Sequence, residues 1–448
     1  MNNNVPHLSN CKKSNPSQKD IANCFNSYFA NIGNAIGESI PDTDPIKVDK
    51  NESSMVFFPT NETEVFEIIS KLDRKSSSGI DEISNTIVKT AAKSIVPYLT
   101  TIINQSLSSG LFPKELSKAK VLPLHKKGSK IDVNNYRPIS LLNVLSKIFE
   151  RVIYDRLYSF FDKNNLFTCR QYGFRKKHST IDALIDFIEK IRLNYDKTVT
   201  SFFLDLRKAF DTINHQILFG KLESYGVRGS CLEWFKSYLS NRYQCVDLDG
   251  TCSEWLPIKC GVPQGSILGP LLFVIYINDL PKCCSSTEII LFADDTNISA
   301  IGLTQEAVER DLKSIQSWLQ SNKLSLNLEK TIQMNIKPSA SKLRFKLNGI
   351  PIDVKPMCKY LGICVDSKLS FVSHIEYVKK RLGKQCGIIS KLRHYVPRHL
   401  LMQYYKSNVQ PIIQYGILVY GCCSFSSLKP ILILQKKNIE VHILSEKG

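Results

Sequence analysis

Asp294 and Asp295 are adjacent carboxylates at the end of an apolar run, Ile289-Ile290-Leu291-Phe292-Ala293, and a second β-favouring run, Thr296-Asn297-Ile298, follows them. The pattern predicts a β-hairpin with the acids at or near its tip. Burying unpartnered carboxylates is costly, so acids on such an element need a cation, a hydrogen-bond network or open water. Taken alone, an acidic surface turn explains the pair at least as well as a divalent ion does. A third acid changes the weighing. Val199-Thr200-Ser201-Phe202-Phe203-Leu204-Asp205-Leu206 reads as a near-continuous apolar strand with one acid near its end. That suits an acid aimed into a cleft, although a cap or turn would also use it. If Asp205, Asp294 and Asp295 converge, they could hold two divalent cations roughly 3.5–4 Å apart. Mg²⁺ prefers carboxylate and phosphate oxygens to nitrogen or sulfur. Paired ions serve phosphoryl transfer, which depends on electrostatics and in-line positioning more than on covalent help.

Elsewhere along the chain, basic groups recur on loops next to strands. Ala119 to Gly128 reads as a short strand ending in Lys126, Lys127 and Gly128. Asn135-Tyr136-Arg137-Pro138-Ile139-Ser140-Leu141-Leu142 then leads into a helix through Phe149 and Leu157. Ammonium and guanidinium groups on such an element suit a phosphate, with a solvated basic loop as the alternative. Gln171-Tyr172-Gly173-Phe174-Arg175-Lys176-Lys177-His178-Ser179-Thr180 interleaves aromatics with basic residues, a mixture able to stack on bases and neutralise a phosphate backbone. Cys260 to Pro270 punctuates Gln264 with glycines and prolines, and glycine permits close approach of backbone to a ligand.

Helical spacing supplies the elements around these motifs. Ile21, Phe25, Phe29, Ile32 and Ile36 mark an amphipathic helix ending near Gly37, whose apolar face must dock on something. Pro41 to Pro59 reads as a linker, and Thr60 as the N-cap of a helix through Val65, Ile68, Ile69 and Leu72. Lys75 to Asp81 reads as a flexible loop, and Ser84 to about Ser108 as helix interrupted at Pro97. Further helices are expected over Thr180 to Asn194, Ile213 to Tyr225, Leu271 to Ile277 and around Val308, Leu312, Ile315 and Leu319. Lys359-Tyr360-Leu361-Gly362-Ile363 is expected on a short strand. From Phe371 a helical stripe of Ile375, Val378, Leu382, Ile389 and Leu392 is flanked by Lys379, Lys380, Arg381, Lys384, Lys391 and Arg393. The first 18 or so residues read as polar and loose, and the sequence stops at Gly448 inside helical-looking residues without a cap, as a truncated chain would.

With 448 residues, 43% of them hydrophobic, the chain can build a large core in two or three domains. Fifty-nine basic against 41 acidic residues leave a net charge of +18, which favours a polyanionic partner. No apolar run approaches the ~20 residues of a membrane span. Fourteen scattered cysteines without a C-x-x-C pair, behind a polar N-terminus, point to reduced thiols in the nucleus or cytoplasm and away from secretion.

In their order, these motifs resemble the reverse transcriptases of non-LTR (LINE-type, jockey-like) retrotransposons, over roughly residues 60 to 420. The resemblance is carried by Leu124–Gly128, Tyr136–Leu142, Gln171–Thr180, Phe203–Asp211, Gly261–Pro270, Phe292–Asp295, Glu329–Thr331 and Lys359–Ile363. It implies an α+β right-hand polymerase: an N-terminal helix and linker over 1–59, fingers and palm (antiparallel sheet plus helices) over 60–365, and a basic helical thumb over 366–448. It implies RNA-directed DNA synthesis, extending a DNA primer 3′-hydroxyl on an RNA template with deoxynucleoside triphosphates by two Mg²⁺ ions, for which Mn²⁺ could substitute. On this pattern Asp205 and Asp294 bind both metals and Asp295 plays a lesser coordinating role. Lys126 or Lys127, with Arg137, grips the triphosphate, while Phe210 is the gate against a ribonucleotide 2′-hydroxyl. Gln264 and Gly265 lie beside the nucleotide, Lys330 protonates pyrophosphate, and Tyr360 to Gly362 form the primer grip. The endonuclease domain and cysteine-histidine knuckles of complete elements are absent from this sequence, so target nicking is expected from elsewhere. The alternative is a catalytically inactive, nucleic-acid-binding relic of such a polymerase. An intron maturase or RNA-dependent RNA polymerase is a third reading; Phe210 argues against ribonucleotides, and the wording of Tyr136–Leu142 and Gly261–Pro270 argues for retrotransposons.

Overall fold

The computed structural model describes residues 16–43, 49–74, 77–336 and 343–439. Among them helices and mostly antiparallel sheets mix in two compact units. No helix of the described residues is long and apolar enough to cross a membrane.

One unit takes the chain through Cys169, then Leu206–Cys283 and Ile315–Ser325. In its sheet, strand Lys118–His125 pairs antiparallel with Tyr136–Leu141 and parallel with Arg242–Leu248, which also pairs with Thr251–Cys252 and Leu256–Ile258. Helix Gln18–Glu38 begins at a capping box in which Ser17 and Asp20 bond each other's backbone amides. Its apolar stripe finds a partner in this sheet: Ile21, Phe25 and Phe29 pack on Val121, Val133, Tyr136 and Val246. Burying each such side chain stabilises by roughly 1.5–3 kcal/mol. Helix Leu268–Tyr276 has no side-chain cap of its own; the fully buried Glu150 carboxylate accepts from the Ile267 and Leu268 amides at 2.6 and 3.3 Å. Burial raises the Glu150 pKa against the pull of Arg242 and of these amides, and the carboxyl supplies the acceptor that this helix end needs.

The other unit takes Arg170–Asp205, Cys284–Ser314 and the residues from Leu326 on. Its sheet runs in the order Asp353–Val354, Ile332–Ile336, Val199–Leu204, Asp295–Ile301, Glu288–Phe292. The central strand is buried along its whole length and antiparallel to both neighbours. Ala183, Leu184 and Phe187 of helix Thr180–Leu193 share one core with Val199, Phe203, Tyr360, Ile375 and Leu382. The basic stripe forms helix Val372–Leu392.

Several sequence expectations shift. Asn61, not Thr60, caps helix Glu62–Ser70; Thr60 instead donates its hydroxyl to Glu64 at 2.6 Å. The break expected at Pro97 falls at Ala91, between helices Asn85–Thr90 and Ala92–Ser109. Pro97 sits inside helix Ala92–Ser109 and lacks the amide that would donate to the Lys93 carbonyl, yet the helix continues through it. Lys359–Ile363 spans two strands, Met357–Tyr360 and Ile363–Asp366, joined at Leu361-Gly362. Residues 49–59 of the expected linker are irregular but tied down, since the Asn51 and Met55 amides donate to the Ser224 and Gly226 carbonyls. Parts of four expectations lie outside the described residues: 1–15 of the loose N-terminus, 44–48 of the linker, Lys75 and Ser76 of the loop, and 440–448 of the helical end.

Candidate active site

The acids are placed by strand register. Leu204 pairs with Thr296 on one side of the central strand, and Phe203 with Ile332 on the other. Carrying both antiparallel registers past the strand end sets Asp205 opposite Asp295 on one side and Lys330 on the other, in a single row. Directly opposed residues point to the same face. Asp294 lies one step beyond, in the two-residue turn Ala293-Asp294 that joins the hairpin strands. Ala293 holds φ +53° there, a conformation usually left to glycine.

Burial changes sharply at this end of the sheet. Leu204 is buried, Asp205 and Asp294 are half-buried, and Asp295 is exposed. The Asp205 main chain is anchored by the Asn327 amide, which donates to its carbonyl at 2.7 Å. Its carboxylate accepts from the Lys330 ammonium at 2.8 Å, with the two side chains 31% and 47% exposed. A pair so open to water is worth at most about 1 kcal/mol, so it is readily exchanged. Among the described residues no group of three or more His, Cys, Asp or Glu is gathered so as to hold a metal ion. The donor chemistry nevertheless fits a hard divalent cation: oxygen ligands only, water-accessible, with an ammonium already neutralising one of them.

Below this row the Tyr360 ring packs on Phe203 at 5.1 Å and Phe187 at 5.6 Å. Phe203 precedes Asp205 by two residues, hence on the same face of the strand. Tyr360 is 4% exposed, and burial together with the Asp295 charge pushes its phenol above the ordinary range. Gly362 turns the hairpin at φ +86° directly beneath Tyr415, whose hydroxyl donates to the Leu361 carbonyl at 2.6 Å.

The remaining predicted residues belong to the first unit. The Lys126 amide donates to the Asn135 carbonyl at 2.8 Å, and Lys126, Lys127 and Arg137 are exposed. The Gln264 carbonyl accepts from the Ser140 amide at 2.8 Å. Gly265, at φ +132°, lies so close to the Ser140 carbonyl that any Cβ would come within 2.5 Å of it. This ties Gln264-Gly265 to the strand bearing Arg137. Phe210 packs on Phe273 at 4.8 Å, and its carbonyl accepts from the Val262 amide.

Four neighbours were not singled out from the sequence. Asp211 is half-buried and accepts from Gln264 Nε2 at 2.8 Å; desolvation raises its pKa to about 6, opposed by that bond and by Lys208. Lys208 donates to the Tyr136 carbonyl at 3.3 Å and lies over the Tyr28 ring at 5.4 Å. Burial lowers its pKa against the pull of Asp211, and Lys126 and Arg137 lower it further. Tyr28 comes from the N-terminal helix, far from any motif. The fourth, Gln171, was read only as part of a basic loop; it is wholly buried beside the acidic hairpin.

Residues 124–365 match the model of the family described as reverse transcriptase (RNA-dependent DNA polymerase). The chain belongs to that family. Among its relatives, the RNA-directed DNA polymerase from mobile element jockey of Drosophila melanogaster is 33% identical over 397 residues, covering 84% of this chain and 43% of the relative. The probable RNA-directed DNA polymerase from transposon BS of the same species is 29% identical, covering 94% and 49%. That from transposon X-element is 27% identical, covering 86% and 44%. The chain thus spans less than half the length of these relatives.

Proposed function

We propose that the chain is an RNA-directed DNA polymerase of a non-LTR retrotransposon, adding deoxynucleotides to a DNA primer on an RNA template. The observation that carries this reading is the row Asp295, Asp205, Lys330 with Asp294 one step beyond. The first unit's sheet would serve as fingers, the second unit's sheet as palm, and the helices beyond residue 366 as thumb. Asp205, Asp294 and Asp295 would hold a pair of Mg²⁺ ions, with Mn²⁺ as a substitute, which when bound acidify a 3′-hydroxyl and neutralise charge on the departing pyrophosphate. Lys330 would hand a proton to pyrophosphate. Lys126, Lys127 and Arg137 offer cations for the triphosphate, of which Arg137 can bind in bidentate fashion. Phe210, fixed by Phe273, is the gate against a 2′-hydroxyl. Gln264 and Gly265 flank the nucleotide, and Tyr360 to Gly362 support the primer end.

Primer extension on an RNA template with deoxynucleotides tests the reading. Asp294→Ala is expected to lower turnover by about 100-fold or more, as loss of a central electrostatic group does. Equal product from both proteins would remove the site assigned here. No product from either, with salt-sensitive RNA binding intact, would identify a non-catalytic binder instead.

A further inference from the structure

The turn that carries Asp294 takes a hydrogen bond from outside the hairpin. Ala293, its first central residue, sits at φ +53° without the freedom of glycine, and its amide points away from the hairpin ladder. A buried amide left without an acceptor costs about 1–3 kcal/mol. The acceptor comes from more than a hundred residues upstream. Gln171 Oε1 takes the Ala293 amide at 3.0 Å and the Gly173 amide at 2.7 Å.

Gln171 is 0% exposed, and its Nε2 amine has no partner among the described residues. The side chain is thus kept for its carbonyl. Its own backbone is fixed along the free edge of the sheet: the Tyr172 amide donates to the Leu291 carbonyl and the Leu291 amide to the Arg170 carbonyl, both at 2.8 Å. Gly173 lies so close to Ala293 that a Cβ would come within 2.3 Å of the Ala293 nitrogen. Side chain and missing side chain bear on one peptide, Phe292–Ala293, and the backbone bonds fix Leu291 just before it.

We propose that Gln171 is a positioning residue for catalysis, bracing the Ala293-Asp294 turn so that the two hairpin carboxylates keep one orientation; this rests on the polymerase reading above. Gln171 touches neither substrate nor the reacting atoms and acts through Ala293. Loss of the brace slows the chemical step and leaves nucleotide and primer–template binding in place.

The experiment compares the full chain with Gln171→Met, which keeps the shape and removes the acceptor, and Gln171→Glu, which keeps an acceptor. Single-nucleotide extension, primer–template binding and hydrogen exchange at the Ala293 amide are measured for each. Expected for Gln171→Met is a kcat about 10-fold or more below wild type, with nucleotide KM and primer–template Kd within about threefold and faster exchange at Ala293. Gln171→Glu is expected to keep kcat within about threefold. The proposal is overturned if Gln171→Met leaves kcat and exchange unchanged, or if kcat and primer–template affinity fall together. Should Gln171→Met fail to fold, Gln171→Asn, which withdraws the carbonyl by one methylene, takes its place, and the same outcomes support or overturn the brace. A wild type that folds but does not extend would overturn the polymerase reading, while exchange at Ala293 would still decide whether the brace exists.

Discussion

Asp211 shows how a single side chain can sit at a cost to stability. Burial lifts its pKa from 3.8 to about 6, so the folded protein holds a proton there that the unfolded chain has already released. The sign follows: folding binds more protons between pH 4 and 6, and stability falls as pH rises through that window. Asp211→Asn keeps an oxygen for Gln264 and removes the charge. We expect it to be more stable than wild type by up to about 3 kcal/mol at pH 7.5, with the difference vanishing near pH 4, by urea unfolding. At this scale the sequence was readable where residue type and neighbours sufficed. Asp205 and Asp294 were singled out from their local runs, and Lys330 from the resemblance alone. Asp211 and Gln171 were not, because each owes its role to a partner over 50 residues away, Gln264 and Ala293 respectively.

At the scale of elements, the N-terminal helix is the informative case. Its periodicity predicted an amphipathic helix but could not name the surface it covers, which is the sheet carrying Arg137. Phe25 packs edge-on against Tyr136 at 4.8 Å, next to Arg137 in the chain. Phe25→Ala should cost about 3–5 kcal/mol and lower the melting temperature by roughly 10 °C, measured by circular dichroism. The helix lies outside the 124–365 family match, so it would be dispensable if it served only as a leader. Strand boundaries were less legible than helices. Lys359–Ile363 looked like one strand because no Asn-Gly or Asp-Gly pair advertises its turn, which Leu361 and Gly362 make at φ +42° and +86°.

For the whole molecule the governing quantity is charge. A net +18 and the exposed Lys380 and Lys384 of helix Val372–Leu392 favour attraction to any nucleic acid, independent of base sequence. Lys380→Ala with Lys384→Ala is expected to weaken primer–template binding uniformly across sequences. The slope of log K against log salt should fall by about 1–2, one for each phosphate no longer neutralised. A change confined to one template sequence would place these lysines away from the phosphate backbone.

The alternation of side chains along a strand gives the row of Asp295, Asp205 and Lys330 an unforgiving arithmetic. One residue inserted or deleted within Val199–Leu204 would leave every acid encoded and yet swing the middle carboxylate through to the opposite side of the sheet. Copies of such a gene can therefore die without losing a single aspartate, and an inventory of motifs would score them as intact.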